Sequence, residues 1–167
     1  MNGKRAKETG IRVEILQGTG ESVAVDELID DLAGELSDPT GHTSLALSAL
    51  RGLPGVGKTA LALHLAHHPR IAAAFPDGVF WVALGPQMDE NSLLAELSTF
   101  IIALGGNALG LITPEEHSRA LAALLTGRRL LLVLDDCWKA AHARPFVAAL
   151  PAGGRCLITT RNSGVAD

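Results

Sequence analysis

Apolar residues at 25, 28, 29, 32, 33 and 36 line one face of an α-helix, and Asp26, Glu27, Asp30, Asp31 and Glu35 cover much of the rest. Upstream, Met1 to Gly20 is polar apart from a short alternation over Ile11–Leu16, which reads as a lead-in strand or a loose segment. Asp38-Pro39-Thr40-Gly41 reads as a turn or linker. From there apolar runs alternate with amphipathic stretches. Leu45–Leu50 predicts a strand, a glycine-rich loop follows, and a helix runs from about Lys58 to His68. Pro69, Pro76 and Asp77-Gly78 punctuate the return to a second strand, Val79–Leu84, which Gly85-Pro86 ends. Asn91 or Ser92 can cap a helix with apolar residues at 93, 94, 97, 101 and 104. Thr113-Pro114-Glu115-Glu116 has the residues of a capping box and opens a helix to about Leu125. A third strand, Leu130–Leu134, ends in Asp135-Asp136. A helical stretch interrupted by Pro145 then leads to a fourth strand, Arg155–Thr160.

Strands that are nearly continuous apolar runs, alternating with helices, predict a parallel sheet covered on both faces. The fold class is α/β, a three-layer sandwich. With 167 residues the chain has room for one substantial core. Its organisation reads as an N-terminal lead-in with an acidic helix over 1–40 and an α/β domain over 41–167.

Composition narrows the function classes. Apolar residues make up 47% of the chain, which excludes a disordered polar tail as the main reading. The apolar runs are far shorter than the ~18–20 residues that cross a bilayer. Met1–Gly10 is polar and no hydrophobic segment follows it, so a soluble cytoplasmic protein with no membrane partner is the expectation. The net charge is −4, and the only basic cluster is Lys4, Arg5 and Lys7 at the N-terminus. A nucleic-acid interface needs a basic stripe, so no direct nucleic-acid contact is expected from this segment. Cys137 and Cys156 are expected at opposite strand ends, more than ~10 Å apart and beyond disulfide reach, as buried inert thiols. His64, His67 and His68 have a spacing that can bind metal, but the glutamate of a zinc-protease helix is missing and the helix has another use.

That use is phosphate binding. Gly52, Leu53, Pro54, Gly55, Val56, Gly57, Lys58 and Thr59 fit G-x-x-x-x-G-K-[ST] at every position. Several backbone N–H groups must approach phosphate oxygens together, and glycines permit that concave turn with no Cβ in the way. The loop opens a helix, whose free amides and dipole favour an anion. Lys58 can reach the β- and γ-phosphates, and the Thr59 hydroxyl can bind Mg²⁺.

Such a loop needs a carboxylate for Mg²⁺ on a neighbouring strand. Leu131–Asp136 supplies one at the C-terminal strand edge, where open parallel sheets bind ligands. Asp135 is the candidate for the Mg²⁺ shell, and Asp136 can orient or deprotonate the attacking water. Thr159-Thr160-Arg161 ends the next strand in the same way, and Arg161 would sit near the γ-phosphate and report its presence. Trp81 and Trp138 read as core or near-site packing residues.

These stretches together resemble the nucleotide-binding core of the NB-ARC (STAND-class) P-loop ATPases, found in plant disease-resistance proteins, animal apoptosome scaffolds and bacterial regulators. The likeness rests on Gly52 to Ala62, on Leu131 to Trp138 and on Cys156 to Asn162, with Phe75 to Val82 around the second strand. It covers about Gly41 to Asn162, and the aspartate pair closely followed by Trp is its most specific part. It implies a P-loop NTPase fold and a signalling switch, closed with ADP and free to oligomerise after exchange for ATP. By that likeness Gly52–Ala60 hold the phosphates, Thr59 and Asp135 the Mg²⁺, Asp136 and Lys58 support hydrolysis, and Arg161 is the sensor.

The sequence departs from the family pattern in two places. Gly20-Glu21-Ser22-Val23 stands where the family carries a Gly-Arg segment that helps hold adenine. The chain ends at Asp167, where the family continues into a fifth strand flanking the P-loop strand and into helical and winged-helix subdomains. The expectation is therefore a truncated domain with four core strands and an open edge beside Leu45–Leu50. Such an edge is prone to aggregation, with weak nucleotide binding and self-association to match. Three functions fit: a slowly ATP-hydrolysing switch of a signalling or transcription-regulating protein; a non-hydrolysing ADP-binding scaffold or truncated decoy; and the switch of a DNA-binding regulator whose reading module lies elsewhere. ATP is favoured over GTP because no Asn-Lys-x-Asp motif is present.

Overall fold

A computed structural model describes residues 10–14, 22–41, 44–48 and 56–161, with side chains for 26–41 and 57–161. Its strands are β1 (Gly10–Glu14), β2 (Ser44–Ser48), β3 (Val79–Ala83), β4 (Leu131–Cys137) and β5 (Arg155–Thr160). Its helices are α1 (Ser22–Ser37), α2 (Val56–Ala66), α3 (Pro69–Ala74), α4 (Glu90–Ala103), α5 (Pro114–Leu125) and α6 (Ala140–Ala148). The strands form one sheet in the order β1-β2-β5-β4-β3, and every pair is parallel.

Two expectations change here. The sheet has five described strands rather than four. β1 pairs with β2 from Gly10↔Ser44 to Glu14↔Ser48, so the edge expected to be open beside the P-loop strand is covered by the N-terminal segment. With that side of β2 paired, it offers no free edge for aggregation. Secondly, the strand that carries the acidic pair is not the neighbour of the P-loop strand. β5 lies between them, paired with β2 on one side and β4 on the other. The site is therefore spread over three strands, and the middle one contributes to it.

The sheet separates two cores. On one face Leu32, Ala33 and Leu36 of α1 pack with Leu61 and Leu65 of α2, Ile71, Phe75 and the sheet residues Leu131, Val133 and Leu157. On the other, α4, α5 and α6 bury Leu97, Ile101, Leu121, Leu125 and Phe146 against Leu132, Leu134 and Ile158. Alternate residues of β4 thus feed opposite cores, which is why its run reads as continuously apolar. The helix α1 shares a core with α2 and α3. Arg155 ties the connection after α1 to the start of β5: its buried guanidinium donates to the carbonyls of Asp38 and Pro39 as well as Ala152 and Gly154.

Local signals account for most boundaries. Thr113 caps α5 by accepting from the Glu116 N–H, and the Glu116 carboxylate accepts from the Thr113 N–H in return. Thr113→Ala should cost about 1 kcal/mol of stability, read as a lowered midpoint in urea unfolding with the slope unchanged. The cap of α4 is Asp89 rather than Asn91 or Ser92, and its carboxylate accepts from the Ser92 N–H at 2.8 Å. The helix expected to run to His68 stops at Ala66, because His68 caps α3: its Nδ1 accepts from the Arg70 N–H. Nε2 of the same ring meets Asp30 on α1 at 2.8 Å, so one residue of the acidic face is paired. The rest of that face, Asp26, Glu27, Asp31 and Glu35, is exposed. Both thiols are free and buried, and desolvation raises the Cys137 pKa to about 11 and pushes Cys156 higher still. Among the described residues no helix is long and apolar enough to cross a membrane.

Candidate functional site

The first turn of α2 carries Gly57, Lys58, Thr59 and Ala60. Gly52, Leu53, Pro54 and Gly55 lie outside the described residues, and Val56 is described through its backbone alone. Lys58 is buried, at 8% relative exposure. Burial pulls its pKa below the usual lysine value, the nearby Arg161 guanidinium lowers it further, and Asp136 partly offsets both. Lys58 thus feels one further cation and one carboxylate from the β4 and β5 ends. The helix N-terminus adds the positive end of its dipole. A polyanion seated there would compensate a charge that burial disfavours.

Across from α2, the end of β4 is irregular. Leu134 pairs with Ile158 and Cys137 with Thr160, so Asp135 and Asp136 together oppose the single residue Thr159. This is a β-bulge, uncommon in parallel pairs, and it breaks the alternation that would send adjacent side chains to opposite faces. Asp136 carries the distortion with φ 55°, the left-handed region that L-residues seldom enter and that Asp and Asn tolerate best. The backbone around it is held from both sides. Leu84 N–H donates to the Asp135 carbonyl at 2.9 Å and Gly85 N–H to the Asp136 carbonyl at 3.0 Å. Gly85 itself has φ 74°, which a side chain would oppose.

The carboxylates then take separate partners. Thr59 Oγ1 donates to Asp135 at 3.0 Å from Oδ1 and 3.3 Å from Oδ2, which joins the P-loop helix to β4. Thr159 Oγ1 donates to the same Oδ1 at 2.5 Å and accepts from the Asp136 N–H at 2.9 Å. Asp136 Oδ1 accepts from Trp138 Nε1 at 3.1 Å and lies 3.6 Å from Arg161 Nε. The Arg161 guanidinium stands 6.0 Å from the centre of the Trp138 ring. Arg161 is 41% exposed, so it can exchange this position for an incoming anion at small cost.

The donor set suits Mg²⁺. A hard cation of that size takes oxygen ligands, usually one or two carboxylates, with substrate phosphates and water filling the rest of its octahedron. Thr59 and Asp135 provide a hydroxyl and a carboxylate already in contact. A threonine oxygen that donates its proton to a carboxylate is the better ligand for it.

Lys58, Thr59, Asp135, Asp136 and Arg161 are therefore brought together by three elements far apart in sequence. Sequence reasoning assigns no hydrogen-bonding role to two further residues here. Thr159 reads as part of the sensor stretch, and its place opposite the acidic pair follows from a strand order that the sequence does not mark. Trp138 reads as a core or near-site packing residue, and the structure also gives its indole N–H to Asp136. Trp81 lies on the edge strand β3, 37% exposed and apart from these residues.

The sequence profile of the NB-ARC domain matches residues 25–167. The chain belongs to the NB-ARC family. Its fold is accordingly that of a P-loop NTPase, and NB-ARC domains are nucleotide-binding modules of regulatory and resistance proteins. Among similar proteins, the regulatory protein AfsR of Streptomyces coelicolor is 39% identical over 149 residues, covering 86% of this chain and 14% of that protein. AfsR of Streptomyces griseus is 37% identical with the same coverage, 86% and 14%. The disease resistance protein RPP8 of Arabidopsis thaliana is 31% identical, over 86% of this chain and 15% of its own length. The chain thus spans about one seventh of the curated relatives it matches. The NB-ARC match begins at Val25 and so includes most of α1, in keeping with the core that α1 shares with α2.

Proposed function

We propose that this NB-ARC chain binds ATP and ADP with Mg²⁺ and hydrolyses ATP slowly, as the nucleotide switch of a cytoplasmic signalling or transcription-regulating protein. The observation that carries the reading is the contact of Thr59 with Asp135 beside the Asp136–Arg161 pair. It joins a metal-binding hydroxyl, a metal-binding carboxylate, a second carboxylate and a cation at one sheet edge. Mg²⁺, when bound, would neutralise phosphate charge and fix the triphosphate in line with the attacking water. Lys58 and Gly52–Ala60 would hold the phosphates, and Asp136 would accept the proton of the attacking water. Arg161 would leave Asp136 for the γ-phosphate, so the same carboxylate is released for catalysis as the triphosphate is sensed.

That exchange predicts nucleotide discrimination. Arg161→Gln should weaken ATP binding by about 10-fold, the scale of one charge-assisted hydrogen bond, and leave ADP affinity within about 2-fold. Competition titrations with both nucleotides measure the ratio.

The proposal extends to self-association through the domain in the ATP state, with no nucleic-acid contact from this segment. The alternative, a scaffold that binds ADP without hydrolysis, differs in one experiment. Single-turnover assays with ATP and Mg²⁺ should release phosphate above the background of Lys58→Met. ATP bound but not cleaved would leave the scaffold.

A further inference from the structure

We propose that Thr159 is a positioning residue of this site, whose one hydroxyl sets the metal-binding carboxylate and fixes the turn that presents the second acid. The inference rests on the nucleotide-binding reading and assigns a role within the same site.

Thr159 lies on β5, the strand between the P-loop strand and the acidic strand, and is 2% exposed. A threonine hydroxyl offers one donor and two acceptor lone pairs, and its β-branched side chain is stiff at χ1. Here the donor goes to Asp135 Oδ1 and an acceptor takes the Asp136 N–H. Both partners belong to the two residues that face Thr159 across the bulge. With Thr59 also donating to that carboxylate, Asp135 is clamped between a hydroxyl from α2 and one from β5. The clamp concentrates both donors on Oδ1 and leaves Oδ2 with the longer 3.3 Å contact to Thr59. Oδ2 is then the oxygen able to meet a cation or its water. The acceptor half of the same hydroxyl satisfies an amide in the left-handed backbone of Asp136, which an apolar side chain would leave unpaired.

A side chain that fixes a metal-binding carboxylate typically changes metal affinity by about 10- to 100-fold when removed. The test uses Thr159→Val, which keeps shape and loses the hydroxyl, and Thr159→Ser, which restores it. A fluorescent ATP analogue is titrated into each variant with Mg²⁺ and again with EDTA. Thr159→Val should lose about 10-fold or more of the tightening that Mg²⁺ gives, with affinity in EDTA within about 2-fold of wild type, and Thr159→Ser should recover most of it. Equal Mg²⁺ dependence in wild type and Thr159→Val would overturn the positioning role and leave the nucleotide reading intact. Loss of equal size with Mg²⁺ and with EDTA would assign Thr159 to the fold and overturn it as well. No binding by the wild-type chain would overturn both readings together.

Discussion

Asp136→Asn should lower single-turnover ATP hydrolysis by about 10²- to 10⁴-fold, the range a positioned general base supplies, while ATP affinity changes little. The choice of Asn matters because of the backbone. Asp136 sits at φ 55°, a conformation Asn also accepts, so the bulge survives the exchange. The side-chain oxygen still accepts from Trp138 Nε1, now 3.1 Å away, and its orientation is kept. What disappears is the negative charge that takes a proton and attracts Arg161. Asp136→Ala is the poorer probe. It adds backbone strain on the order of 1 kcal/mol to the loss of the carboxylate, so a fall in activity would have two causes. Wild-type hydrolysis by Asp136→Asn would remove this residue from the chemistry.

Lys58→Met should weaken ATP binding by roughly 10- to 150-fold, equivalent to ~1.5–3 kcal/mol for hydrogen bonds from a charged group. The same change should leave the free protein as stable as wild type or more so. Burial depresses the Lys58 pKa, which means that the folded state disfavours its charge. For a base with a lowered folded pKa, the charged form costs stability at every pH below that pKa, and the cost fades as pH rises through it. Methionine keeps the length of the stem and removes the cost. Binding and stability therefore move in opposite directions. Thermal melting without nucleotide, next to calorimetric titration with it, reads both. A variant that lost stability and affinity together would show that Lys58 supports the fold instead.

Much of the scaffold was legible because its signals are local. Arg155–Thr160 matches its expected bounds, since Gly153-Gly154 leads into it and Cys156-Leu157-Ile158 form its apolar run. The α5 start follows from Thr113, Pro114 and Glu116. Strand order was not legible. Parallel strands that are apolar on both faces carry no mark of their neighbours, and their pairing is decided by contacts distant in sequence. Hence the insertion of β5 between β2 and β4, and the pairing of the lead-in strand β1 with β2, appear first in the structure.

Candidate site residues divide in the same way. Lys58 and Thr59 stand out by motif spacing, and Asp135, Asp136 and Arg161 by their place at the ends of apolar strands, and the structure brings the five side chains near one another. The role of Thr159 depends on the bulge, and nothing in Leu134-Asp135-Asp136-Cys137 announces a residue with φ 55°. His68 shows the opposite limit. Its spacing with His64 and His67 can bind metal, a use the sequence already disfavours, but nothing local shows that its ring caps α3 and pairs with Asp30 on α1, two partners that only the packed helices reveal.

If residues from α2, β4 and β5 form one site for a magnesium-bound triphosphate, calorimetric titration of the wild-type chain with ATP, in Mg²⁺ and in EDTA, should show it. Saturable binding of one ATP per chain is expected, tightening at least about 10-fold with Mg²⁺, as metal-assisted phosphate binding requires. Absence of saturable binding, or an affinity indifferent to Mg²⁺, would rule such a site out.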